Sequence, residues 1–212
     1  MKKITIMAML SFMIFGASAQ TEKGLFFDAN AGVRLGGETS SKSTVDPGFH
    51  LHGGVGYMFN NFIGVQGKLG FNTVKAVNVI ESGVDDRSYL LNITAEAVLG
   101  VSELAGFGTE KFDLFVHAGG GISTIGNPGY KRRYEETREW NDKLFKGNDD
   151  SFNAIFGITP KYHLDENISF SLDIAYFMMF NQTYSLDREI GNTLVSGSKG
   201  MTNISLGITY KL

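Results

Sequence analysis

From Gly24 to the end of the chain, apolar and polar residues alternate in long runs, each closed by a stretch rich in Gly, Asn, Asp or Ser. The runs lie near residues 25–36, 48–59, 62–75, 87–102, 112–125, 151–163, 168–182 and 201–212. A period of two marks a strand whose two faces meet different surroundings. Each run is longer than an ordinary soluble strand and matches the roughly 9 to 11 residues that a tilted strand needs to cross a bilayer.

The connections alternate in length. Asn60–Asn61, residues 103–111 and residues 164–167 are short, whereas residues 37–47, 76–86, 126–150 and 183–200 are longer. Short turns on one rim and long loops on the other are the habit of transmembrane barrels, with the short set in the periplasm. The pattern therefore predicts an all-β fold, an eight-stranded antiparallel up-and-down transmembrane β-barrel.

The two faces decide what the barrel touches. One carries Phe27, Val33, Leu51, Val55, Leu69, Ile93, Ile122, Phe156, Leu172, Ile204 and Leu206 with no charge in the middle of any of the eight runs. A Lys or Arg at the bilayer midplane costs about 2–4 kcal/mol, so an uncharged face is what lipid demands. Aromatic residues gather near both ends of this face, at the depths of the two membrane interfaces. The other face collects Asp28, Asn30, Arg34, His50, His52, Gln66, Lys68, Asn92, Thr94, Glu96, Asp113, His117, Lys161 and Asp173, interleaved with glycines such as Gly54, Gly70, Gly119 and Gly157. Glycine suits the inside of a barrel barely wide enough for side chains. A soluble lipocalin-like barrel would invert the faces, but its lumen could not hold so much apolar bulk. Pro160 interrupts the sixth run and is expected to produce a bulge.

The first residues read MKKITIMAMLSFMIFGASAQ, with Lys2 and Lys3 before an apolar run and Ala17-Ser18-Ala19 after it. This is the form of a cleaved secretory signal, so residues 1–19 are expected to be a signal peptide and residues 20–212 the barrel. Without Lys2 and Lys3 the chain has 17 basic against 22 acidic residues, a net charge of −5. Such a balance gives no basic face for nucleic acid. With no cysteine, disulfides cannot hold an exported chain of this kind.

Several residues could carry chemistry. His50 and His52 share a face of one strand and could form half of a metal site, but no third ligand is evident; no metal, cofactor or catalytic residue is assigned. Pairing the third strand with the fourth about a turn near residue 82 sets Lys68 opposite Glu96, and a turn near residue 107 sets His117 opposite Glu96 on its other side. This Lys68–Glu96–His117 cluster, with inward Phe115 and Phe177, is expected to plug the lumen. The segment from Asn127 to Asp150 holds Arg132, Arg133, Glu135, Glu136 and the single tryptophan, Trp140, and is expected to lie outside the cell. There it would meet lipopolysaccharide or a partner.

The eight runs, the long outer loops and the closing stretch SLGITYKL from Ser205 to Leu212 resemble the OmpA/OmpX-type outer-membrane β-barrel family, in the form common among Bacteroidetes. The resemblance covers the whole mature chain. It implies residence in the outer membrane as a monomer surrounded by lipid and lipopolysaccharide, and recognition of the last strand by the barrel-assembly machinery. Here that strand ends in Leu212, with Tyr210 two residues earlier. The peptidoglycan-binding domain of longer members is not expected. The function implied is structural, porin-like or surface-interacting without enzymatic activity; the alternatives are a lipid A acyltransferase or deacylase and the soluble ligand-binding barrel.

Overall fold

The computed structural model describes residues 24–36, 47–75, 87–109, 111–126, 148–180 and 199–212. The signal segment and the loop residues Arg132, Arg133, Glu135, Glu136 and Trp140 lie outside them. Eight strands follow in chain order: β1 Gly24–Gly36, β2 Gly48–Met58, β3 Ile63–Lys75, β4 Arg87–Gly100, β5 Phe112–Gly126, β6 Asn148–His163, β7 Ile168–Phe180 and β8 Lys199–Lys211. Each pairs antiparallel with its neighbours, and β8 closes on β1, giving an up-and-down barrel with no free edge. A closed barrel satisfies every backbone group internally, which lipid requires of any spanning structure.

The two-faced pattern fixes what points inward. Along β4, Ser88, Leu90, Asn92, Thr94, Glu96 and Val98 are buried, while Leu91, Ile93, Ala95 and Ala97 between them are exposed on the outside. The same alternation places Leu69 and Leu206 on the outer surface at 63% and 70% exposure, the level expected of side chains meant for lipid.

Two short hairpins use one device. Asn60 Oδ1 accepts hydrogen bonds from the backbone N–H groups of Phe62 and Ile63, and Asp165 Oδ1 accepts from those of Asn167 and Ile168. An Asx side chain thus replaces the strand ladder at each turn. The third connection holds a short helix, α1 Val101–Ala105, closed by Gly106 at φ 72°, a left-handed value that glycine adopts without steric cost.

Four details differ from expectation. β4 ends at Gly100, and α1 takes up two residues expected to be strand. β6 begins at Asn148, so Asp150 extends the outward-facing row as an exposed charge at the long-loop rim and accepts a hydrogen bond from Thr124 Oγ1. Pro160 makes no bulge: the β6–β7 ladder omits Thr159 and Pro160, then resumes at Lys161↔Ser171 with no residue inserted. The missing N–H removes rungs without shifting the register.

The fourth is a register slip of two at both neighbours of β4. Glu96 lies opposite Gln66 rather than Lys68, and opposite Gly119 rather than His117. A slip of two keeps every side chain on its own face, so the alternation cannot detect it.

Candidate functional site

The lumen is filled in two layers, and below them it opens toward the short turns. The middle layer is polar. Glu96, contributed by β4, has Oε2 3.1 Å from Lys68 Nζ on β3 and 2.7 Å from His117 Nδ1 on β5. Its other oxygen accepts a 2.6 Å hydrogen bond from Thr94 Oγ1. Lys68 and His117 therefore both reach Glu96 diagonally, two residues along the strand from the squarely facing positions. The far side of the His117 ring, Nε2, lies 2.9 Å from Asp173 Oδ1 on β7, which also accepts a 2.7 Å bond from Thr159 Oγ1.

The network continues to β1 and β2. Asp28 accepts hydrogen bonds from Gln66 Nε2 and Asn30 Nδ2. His52 Nε2 faces Asp28 Oδ2 at 3.5 Å and Asp173 Oδ2 at 3.9 Å, while its Nδ1 lies 2.9 Å from His50 Nε2. His50 Nδ1 completes the chain 2.8 Å from Asn72 Oδ1. The two histidines thus bond to one another instead of pointing at a common centre. Among the described residues no three acidic or histidine side chains are placed to hold a metal ion.

Glycines make this network possible. A Cβ at residue 157 would overlap His117 Nε2, and one at residue 54 would stand 2.5 Å from Asp28 Oδ1. Alternating large polar residues with glycine is how a narrow lumen accommodates a charged layer. In a poorly hydrated interior, ions are stable only with their partners present, because leaving one unpaired costs about 3–5 kcal/mol.

The upper layer holds an apolar cluster beside the buried Arg34, whose Nε donates a 3.0 Å hydrogen bond to the Thr73 carbonyl. Toward the long-loop rim, Leu90, Ile125, Phe177, Met179 and Met201 turn inward and pack with Val74. Phe177 and Met179 are 1% and 0% exposed. Phe177 was expected inward, but the others were not, and the signal for them is local. In Leu90-Leu91 and in Phe177-Met178-Met179-Phe180 the alternation gives way to continuous apolar residues, as it must where both faces of a strand are dry. Phe115, the other expected plug residue, instead lines the cavity at the opposite end.

That cavity, of about 270 Å³, opens among Asn60, Asn61, Glu103, Glu166 and Lys211 at the short-turn rim. At its mouth His163 ties three strands together: Nε2 lies 2.8 Å from Asp113 Oδ2, and Nδ1 lies 2.7 Å from Ser169 Oγ. Asp113 also accepts a 2.9 Å bond from Ser102 Oγ of α1. Sequence reasoning placed Asp113, His52, Asp28 and Asp173 on the inner face without joining them, because contacts across the lumen depend on barrel shear rather than on pairwise register.

Comparison with known proteins agrees with this architecture. No curated protein matches the chain by sequence. Among solved structures it is similar to Neisserial surface protein A, with a TM-score of 0.55 at 15% identity over 89% of this chain and 97% of that one. A major outer membrane protein from Thermus thermophilus gives 0.53 at 13% identity, covering 90% and 99%. OprG from Pseudomonas aeruginosa gives 0.50 at 15% identity, covering 91% and 97%. At such identities these likenesses speak for the fold. The family model described as "Outer membrane protein beta-barrel domain" matches residues 6–211, and the chain belongs to that family, an integral β-barrel of the outer membrane.

Proposed function

We propose that this barrel is a closed, non-enzymatic scaffold of the outer membrane that works through its outer loops and not by passing solutes through its lumen. The observation that carries this reading is the buried apolar cluster around Phe177 and Met179 together with the Glu96 network. An ion crossing the barrel would have to displace both. The first expels water, and the second already satisfies its charges internally.

In this reading the segment with Arg132, Arg133, Glu135, Glu136 and Trp140 faces outward and meets lipopolysaccharide or a surface partner. The last strand, with Tyr210 near its end and Leu212 just after it, is the part read by the assembly machinery. Residues 1–19 serve as the export signal, and the mature chain acts as a monomer without cofactor. The Ser169–His163–Asp113 contacts act as a clasp between strands; Ser169 is 6% exposed and turns into the lumenal cavity, away from the lipid-facing surface where acyl chains lie.

Single-channel recording of the purified barrel in planar bilayers tests the proposal. The expected trace is flat, and regular conductance steps would overturn it. Unchanged lipid A mass spectra from a deletion strain are the expected result for a protein without lipid-modifying activity.

A further inference from the structure

Three of the five carboxylates that line the inner cavity are already engaged, and the other two, Glu103 and Glu166, stand at its mouth. Asp28 is held by Gln66 and Asn30, Asp113 by His163 and Ser102, and Asp173 by His117 and Thr159. Lys68, the cation at the upper end, is paired with Glu96. Lys161 is different. Among the described residues its ammonium has no ion-pair or hydrogen-bond partner. The residue directly opposite it on β5 is Asp113, whose oxygens face His163 and Ser102 instead.

What surrounds Lys161 Nζ is aromatic. It lies 4.8 Å from the centre of the Phe115 ring and 5.2 Å from that of Phe26. Ring faces compensate an ammonium for part of its lost hydration, but they leave its three N–H donors without an acceptor. Those donors line the cavity at the short-turn end, where Met58 and Val98 continue the apolar wall. A cavity of about 150 Å³ is enough to take benzene. At about 270 Å³ this one has room for a ring bearing a charged group.

We propose that the periplasm-facing cavity is a binding site for a small organic monoanion with an apolar body, such as an aromatic carboxylate, whose charge pairs with Lys161 while its body lies against Phe26 and Phe115. The preference for a single charge follows from the same walls. Asp28 and Asp173 also face the cavity, Lys68 is already paired with Glu96 and Lys211 stands at the mouth, so a second negative charge deep in the cavity would meet carboxylates. The proposal rests on the closed-lumen reading, since the site is the blind end of a plugged barrel.

The test uses the full mature chain in lipid nanodiscs and 4-fluorobenzoate as probe, followed by fluorine NMR. The expected result is line broadening together with fluorine–proton Overhauser effects to the Phe115 ring and the Lys161 side chain. Neutral 4-fluorobenzyl alcohol should bind about tenfold or more weakly, as should 4-fluorobenzoate to Lys161→Gln, because a charged hydrogen bond is lost. Equal binding of the neutral probe, or equal binding by Lys161→Gln that still resists detergent unheated, would overturn the site. If that variant does not fold, the Overhauser pattern decides: contacts confined to outward residues such as Leu69 and Leu206 refute the proposal. Displacement of the probe by an equal concentration of inorganic phosphate would refute the apolar half. Failure of the closed-lumen reading would show separately, as conductance in bilayers, whatever the probe does.

Discussion

Gly157 and His117 face each other squarely across β5 and β6, and the missing side chain of the one is the space occupied by the imidazole of the other. A Cβ on residue 157 would collide with His117 Nε2, the nitrogen that lies 2.9 Å from Asp173. Gly157→Ala is therefore expected to push the ring off Asp173 and leave a buried carboxylate short of a partner. That costs about 1–3 kcal/mol, more than the roughly 0.5–1 kcal/mol that alanine ordinarily gains over glycine in a strand. Urea unfolding in lipid vesicles should show a lower midpoint, and a higher one would mean that the glycine serves no packing purpose here.

Glu96 should behave as the keystone of the same layer. Glu96→Gln keeps the shape but removes the charge that faces both Lys68 at 3.1 Å and His117 at 2.7 Å. The expected loss is about 3–5 kcal/mol, and replacing Lys68 by Met in the same chain should restore part of it, since a missing pair is cheaper than a broken one. A double variant no more stable than Glu96→Gln alone would show that an unpaired Lys68 is not what the loss consists of.

What the sequence made legible, and what it hid, follows from these residues. The strict period of two put Lys68, Glu96 and His117 on the inner face, and nothing about that placement depended on the exact turn. Their squared-off register was wrong by two on both sides of β4 because a slip of two leaves every side chain on its own face, and Lys68 and His117 reach Glu96 diagonally instead. Contacts such as His117 to Asp173 join β5 to β7, which are not paired strands, so no alternation or turn length encodes them. The inward turn of Leu90 and Met179 was visible only as a lapse in the alternation, which is easily read as noise at a strand end.

The outer face gives a depth-dependent expectation. Leu206 lies at the middle of β8 and is 70% exposed, so Leu206→Arg places a charge near the bilayer midplane and should cost about 2–4 kcal/mol. Leu212→Arg, beyond the end of β8, should cost about 0–1 kcal/mol. Folding titrations of the two variants into vesicles compare them directly, and equal costs would mean that the apolar face does not meet lipid.

The layer that closes the lumen can be separated from the layer that stabilises it. Phe177→Ala removes the largest apolar side chain of the upper layer, which is 1% exposed, and should destabilise the barrel by about 3–5 kcal/mol. The gap would lie directly above the polar network, whose groups can hydrogen-bond entering water, so the dry barrier is breached where water is best received. Glu96→Ala also destabilises, but it leaves Phe177, Met179 and Leu90 in place, and water reaching the middle layer still meets an apolar lid. Single-channel recording should therefore show conductance steps or flicker in Phe177→Ala and a flat trace in Glu96→Ala. The reverse outcome, with steps in Glu96→Ala alone, would assign closure of the barrel to the charged layer and make the apolar one mere packing.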